Sequence, residues 1–172
     1  KQGVIVGDKG TILATMDGGV TWSKVKTNLD TNLYSVSFTE GGVGYAVGAN
    51  GVILRTADGG LSWDDKESPV NLNLFAVTAI GPNDAVAVGE LGTVLVTADG
   101  GETWGNESNI TSKVLQAVVF RGGDKVWIAG KGGSILKRIT SLSPTRITSP
   151  KLPPVLRNAL PRLKLKPRTP SI

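Results

Sequence analysis

TADGGLSW occupies residues 56–63, and close copies stand at 15–22 (TMDGGVTW) and 97–104 (TADGGETW). The aspartates Asp17, Asp58 and Asp99 are 41 residues apart, and so are the tryptophans Trp22, Trp63 and Trp104. A second column, Gly7, Gly48, Gly89 and Gly130, keeps the same 41-residue interval. Unbroken spacing of this kind marks a tandem array. Each unit in such an array is one supersecondary element that buries its apolar face on its neighbours.

Every unit reads as four short strands. LYSVSF (33–38) has Tyr34, Val36 and Phe38 on one face and Ser35 and Ser37 on the other, and LFAVTA (74–79) and LQAVVF (115–120) stand at the same place. GYAVG (44–48), AVAVG (85–89) and VWIAG (126–130) are nearly continuous apolar runs, which predicts second strands buried on both faces. A G-x-x-G follows each time, as GDKG, GANG, GELG and GKGG, predicting a tight two-residue hairpin in which glycine takes positive φ. No helix and no Lys-Ser/Thr pair follows these glycines, so they do not form a phosphate cradle. TILAT, VILRT, TVLVT and SILKR supply third strands, and a fourth begins at the tryptophan.

The eight-residue box therefore falls on the turn between third and fourth strands. A short carboxylate there accepts backbone N–H groups of its own turn, and Gly-Gly permits left-handed dihedrals. The Thr or Ser before the tryptophan closes the turn onto the Asp, and the indole buries against the strands. Asp17, Gly19 and Trp22, then Asp58, Gly60 and Trp63, then Asp99, Gly101 and Trp104 are accordingly read as one structural staple made three times. One carboxylate per turn supplies too few oxygens for a calcium site.

Composition narrows the chemistry. The 172 residues include 23 glycines, no cysteine and no histidine, which fits an all-β chain and removes disulfides, thiol nucleophiles, His-based zinc sites and Ser-His-Asp triads. No catalytic residue, metal ligand or cofactor site is expected. The net charge of +5 is divided unevenly: residues 1–136 hold all 14 acids and ten bases, whereas residues 137–172 hold nine bases and no acid. The basic balance thus belongs to a tail and does not argue for nucleic-acid binding.

The boxes resemble the Asp-box, or bacterial neuraminidase repeat, of β-propeller blade turns. The longer unit G-x-x-G-x-I-L-x-T-x-D-G-G-x-T/S-W, best seen in VGANGVILRTADGGLSW (47–63), is similar to the photosystem II stability and assembly factors. That resemblance implies a non-enzymatic propeller on the lumenal or periplasmic side, acting as an assembly chaperone for a membrane-complex subunit. It also implies a basic patch for the protein partner, with Arg55 at the family's arginine position and Ala14, Val96 and Lys137 at the equivalent ones. Arg121, Lys137 and Arg138 complete the candidate partner-binding set. Two other functions are weighed: a glycan-binding or sialidase-like propeller, and a surface or adhesion repeat protein. A sialidase-like enzyme needs three arginines around a carboxylate and a Tyr–Glu pair. Residues 1–138 offer only Arg55, Arg121 and Arg138, and the sole irregular acid cluster is Asp64, Asp65 and Glu67.

The expected architecture is a partial propeller of four-stranded, 41-residue blades over residues 1–138, about three and a half blades, followed by a basic proline-rich tail over 139–172. The first unit lacks its first strand, and in the fourth Thr140, Ser141 and Leu142 replace Asp-Gly-Gly. Open blade edges suit self-association that completes the ring. The tail suits either a solvated extension or contact with an acidic partner or anionic membrane surface.

Overall fold

The structure, a computed structural model, describes residues 1–108 and 110–139, so the proline-rich tail and the altered fourth box lie outside the described residues. Fourteen strands form four antiparallel meanders. Blade 1 is β1 (Gly3–Val6), β2 (Ile12–Thr15) and β3 (Ser23–Lys24). Blade 2 is β4 (Leu33–Phe38), β5 (Gly44–Gly48), β6 (Ile53–Thr56) and β7 (Asp64–Lys66). Blade 3 is β8 (Leu74–Ala79), β9 (Ala85–Gly89), β10 (Val94–Thr97) and β11 (Gly105–Asn106). Blade 4 is, among the described residues, β12 (Leu115–Phe120), β13 (Lys125–Gly130) and β14 (Ser134–Ile139). This is an all-β partial propeller.

Three apolar cores lie between successive blades rather than within them. Ile12, Leu33, Ala46 and Leu54 join blades 1 and 2; Tyr45, Val47, Ile53, Val77, Ala87 and Leu95 join blades 2 and 3; Val86, Val88, Val94, Ile128 and Leu136 join blades 3 and 4. The first strands also touch one another, β4 on β8 and β8 on β12. There the hydroxyls of Ser35 and Ser37 accept the backbone N–H groups of Val77 (3.2 Å) and Ala79 (3.0 Å). The polar face of that alternating strand is thus part of a blade–blade seam.

β5 and β9 are buried at every residue, because a blade covers each side. β13 is not. Its burial alternates, with Val126 and Ile128 inside and Trp127 40% exposed, because among the described residues no strand lies against its outer face. The sequence expectation of burial on both faces fails there for want of a neighbour.

The G-x-x-G hairpins are tight, but their centre is one residue later than the glycine spacing suggests. In the second blade the central pair is Asn50 (φ 56°, ψ 30°) and Gly51 (φ 77°), and the N–H of Val52 donates to the Ala49 carbonyl at 3.1 Å. Two successive positive φ values match the right-handed strand twist. The side chain of Asn73, at the entrance to blade 3, accepts the N–H of Asn50 (3.1 Å), and Asn32 does the same for Lys9 (3.0 Å).

The 41-residue glycine column has a separate cause. A Cβ on Gly48, Gly89 or Gly130 would stand 2.0, 2.1 or 2.2 Å from the carbonyl oxygen of Asn32, Asn73 or Val114, where the chain enters the first strand of the same blade. A Cβ on Gly7 meets nothing within 4 Å. Gly89→Ala should therefore cost about 3 kcal/mol or more through overpacking against backbone, with Gly7→Ala close to neutral. Denaturant melts of the two variants check this, and equal effects would rule out the contact as the reason for the column.

Candidate functional site

Each box builds the same hydrogen-bond knot from the end of a third strand. In the second, the Thr56 hydroxyl donates to Asp58 Oδ1 at 2.7 Å and accepts the N–H of Gly60 at 3.0 Å. Asp58 also accepts the N–H groups of Leu61 (2.9 Å) and Ser62 (3.0 Å) and the Ser62 hydroxyl (2.6 Å). Thr15, Asp17 and Thr21 repeat the arrangement in the first box, and Thr97, Asp99 and Thr103 in the third. Both box glycines have positive φ, between 78° and 93°.

These bonds favour the ionised carboxylate. The Thr21 N–H and hydroxyl hold Asp17 well below the usual carboxylate range, and the Ser62 hydroxyl and N–H do so for Asp58. The Thr103 hydroxyl and N–H lower Asp99 to about 2. A carboxylate with a depressed folded pKa stabilises the fold above its unfolded value, about 4, and loses that contribution as pH falls through the folded value. Thermal melts should accordingly drop between pH 4 and about 2, with a shallower drop for Asp99→Asn. Parallel pH profiles for the two proteins would dismiss the knot as the acid-sensitive element.

Trp63 and Trp104 do not stay on their own blade. Trp104 stands edge-on to Tyr45 of blade 2, with ring centroids 5.9 Å apart, and is 7% exposed. Trp63 is partly buried with Val4 and Val6 of blade 1, and its Nε1 donates to the Gly60 carbonyl at 3.1 Å. Trp22 lies beside Gly3 and Gly19 of its own blade and is 40% exposed. The second box glycines share this seam, since a Cβ on Gly60 would meet Val4 at 2.5 Å and one on Gly101 would meet Tyr45 at 3.2 Å. Trp104→Ala should cost roughly 3–5 kcal/mol, Trp63→Ala less and Trp22→Ala under about 1 kcal/mol, in the order of burial. Chemical melts of the three variants read the order directly.

The candidate basic residues do not form one patch. Arg138 is 8% exposed and makes a two-pronged ion pair with Glu107, Nε at 2.9 Å and Nη2 at 3.1 Å. Arg121 is exposed just beyond β12, and Lys137 faces the open side of blade 4 opposite Trp127. Arg55 lies opposite Tyr45 on β5 and beside the third box: a Cβ on Gly100 would stand 3.6 Å from its Nε. Its Nε is buried without a hydrogen-bond partner, as are the Tyr45 hydroxyl and Trp104 Nε1. Burial raises the Tyr45 pKa. Among the described residues the three ion pairs are Lys66–Glu102, Lys125–Asp124 and Arg138–Glu107, and Arg55 takes part in none. The cluster of Arg55, Tyr45 and Trp104 was not legible from spacing, because it needs two blades to bring Tyr45 and Trp104 together.

A repeat with Thr-x-Asp-Gly-Gly knots on a propeller seam has close parallels. The family model described as Photosynthesis system II assembly factor YCF48 matches residues 1–65 and 20–78. The chain resembles these assembly factors. A solved structure described as YCF48 bound to D1 peptide superposes with a TM-score of 0.67 at 25% identity, covering 86% of this chain and 50% of that one. YCF48 from Cyanidioschyzon merolae gives 0.65 at 25% identity, covering 88% and 53%. The chain thus spans about half the length of these two proteins. An ancestral GH74 enzyme shares the fold alone, at 18% identity and a TM-score of 0.61 over 78% of this chain and 20% of its own. No curated protein matches the chain.

Proposed function

We propose that the chain is a non-catalytic, extracytoplasmic propeller scaffold that binds a segment of a membrane-complex subunit during assembly, as a photosystem II assembly factor would. The observation that carries the reading is Arg55. Its guanidinium is partly buried, its Nε has no hydrogen-bond partner, the Tyr45 hydroxyl stands beside it and no carboxylate lies within 4 Å among the described residues, so a carboxylate from a partner peptide is the group that suits it. The D1 peptide on the similar YCF48 supports a peptide as partner. Arg121 adds exposed positive charge just beyond β12 and Lys137 lies on the outer face of blade 4, whereas Arg138 is held by Glu107 and serves the seam between blades 3 and 4.

The acids favour binding over hydrolysis. Asp64 and Asp65 are consecutive on one edge strand, not opposed across a cleft as glycoside hydrolysis requires. Self-association through the open blade faces is a further part of the proposal. Trp127, Ala129, Ile135 and Lys137 stand two repeats on from Tyr45, Val47, Ile53 and Arg55, the face of blade 2 that blade 3 covers.

Calorimetric titration with a D1 peptide tests the partner. Arg55→Ala should weaken binding by about 2 kcal/mol or more, roughly thirtyfold, while Arg121→Ala lowers mainly the on-rate and its salt dependence. A wild-type chain that leaves the peptide free removes the partner, and an Arg55→Ala chain that binds it undiminished removes the site.

A further inference from the structure

The repeat makes the same kind of groove between outer blade edges more than once, and one of them departs from the rest. Between blades 2 and 3 the linker residues Glu67, Ser68 and Pro69 face Trp104, leaving a hollow of about 190 Å³. One repeat earlier, Lys26, Thr27 and Asn28 face Trp63, Asp64 and Asp65 across an open groove of about 740 Å³. That size is in the range of small-molecule sites, roughly 300–1,000 Å³. The lining changes as well as the size. Glu67 becomes Lys26, Pro69 becomes Asn28, and Gly105-Asn106 becomes Asp64-Asp65.

The chemistry of the lining selects a ligand class. Lys26 and Asp65 carry opposite charges in one groove, yet no ion pair joins them. A cationic ligand would meet Lys26, and an anionic one would meet the Asp65 carboxylate, so neither sign is complemented throughout. A neutral ligand rich in hydroxyls meets every group. It donates to Asp65, accepts from Lys26, and does both with the Asn28 amide. Asp65 is registered on Leu54, which shares a core with Trp63, so carboxylate and indole border one surface. The Trp63 N–H is already bonded to Gly60, which leaves the indole to offer apolar surface, the part that packs against the C–H groups of a sugar ring.

We propose that the groove between blades 1 and 2 is a carbohydrate-binding site for a short neutral oligosaccharide. It lies on the opposite face of blade 2 from Arg55, whose strand partner Asp64 and neighbours Tyr45 and Gly100 belong to the seam between blades 2 and 3. The test follows the indole N–H signal of Trp63 in the full ¹⁵N-labelled chain. The signal is assigned with Trp63→Phe and titrated with cellotriose, maltotriose, xylotriose and triacetylchitotriose.

At least one trisaccharide should shift it with a Kd of about 1 mM or tighter. Replacing the groove by its own neighbour's residues, with Lys26→Glu, Asn28→Pro and Asp65→Asn together, should weaken that binding at least tenfold. The melting midpoint and the other indole signals report that the variant is folded, and Asp65→Leu alone serves as a second variant if it is not. Arg55→Ala should leave sugar binding unchanged, so failure here and failure of the peptide reading are read separately. The proposal is overturned if none of the four sugars moves Trp63, if the folded swap variant binds as tightly, or if trilysine shifts the signal at lower concentration than any sugar.

Discussion

A threonine hydroxyl that accepts a glycine N–H and donates to an aspartate two residues on is the interaction on which the structure turns. It ends the third strand, fixes two consecutive left-handed glycines and presents the carboxylate to the residue before the tryptophan. The tryptophan is thereby aimed out of its own blade. Without the knot, the turn has no reason to hold positive φ twice running, and the indole has no fixed direction. The low pKa of Asp99 is the electrostatic face of the same geometry.

What the knot delivers is a seam. In blade 3 the indole lands against Tyr45, and the box glycine gives it room, so a local turn becomes a contact between blades. The Asn32 and Asn73 side chains clasp the hairpin of the blade before them, and Ser35 and Ser37 join first strands. The cores lie between blades for the same reason. A four-stranded sheet this narrow has two faces and almost no interior of its own, so its stability is shared pairwise with its neighbours.

Much of this was legible in the sequence, and the rest was hidden for definable reasons. The 41-residue columns disclose blade, strand order and box, because backbone demands recur identically in each unit. The unequal burial of Trp22, Trp63 and Trp104 is invisible there, since identical letters meet different neighbours. Gly48 reads as a hairpin residue but is required by the Asn32 carbonyl, a contact set by the linker's path. Arg138 reads in the sequence as a candidate partner-binding residue, and only the fold brings Glu107, 31 positions away, against it. The groove beside Trp63 had one faint signal, the loss of repeat identity at Lys26, Asn28, Asp64 and Asp65.

Among the described residues, the uncovered faces of blades 1 and 4 are unlike one another. Blade 4 shows the face bearing Trp127 and Ile135, which in inner blades receives the next sheet, while blade 1 shows Ile5 and Trp22, the face that is received. Polarity follows. A sheet of this repeat that covered blade 4 as the inner blades are covered would bring its leading side, so chains associating in the proposed way would meet head to tail. Contacts of that hand close into a ring when the rotation per blade divides the circle, and otherwise they continue as a helix. The angle between adjacent blades, set by residues as small as Gly60 and Gly101, is therefore also what separates a finite particle from a fibre.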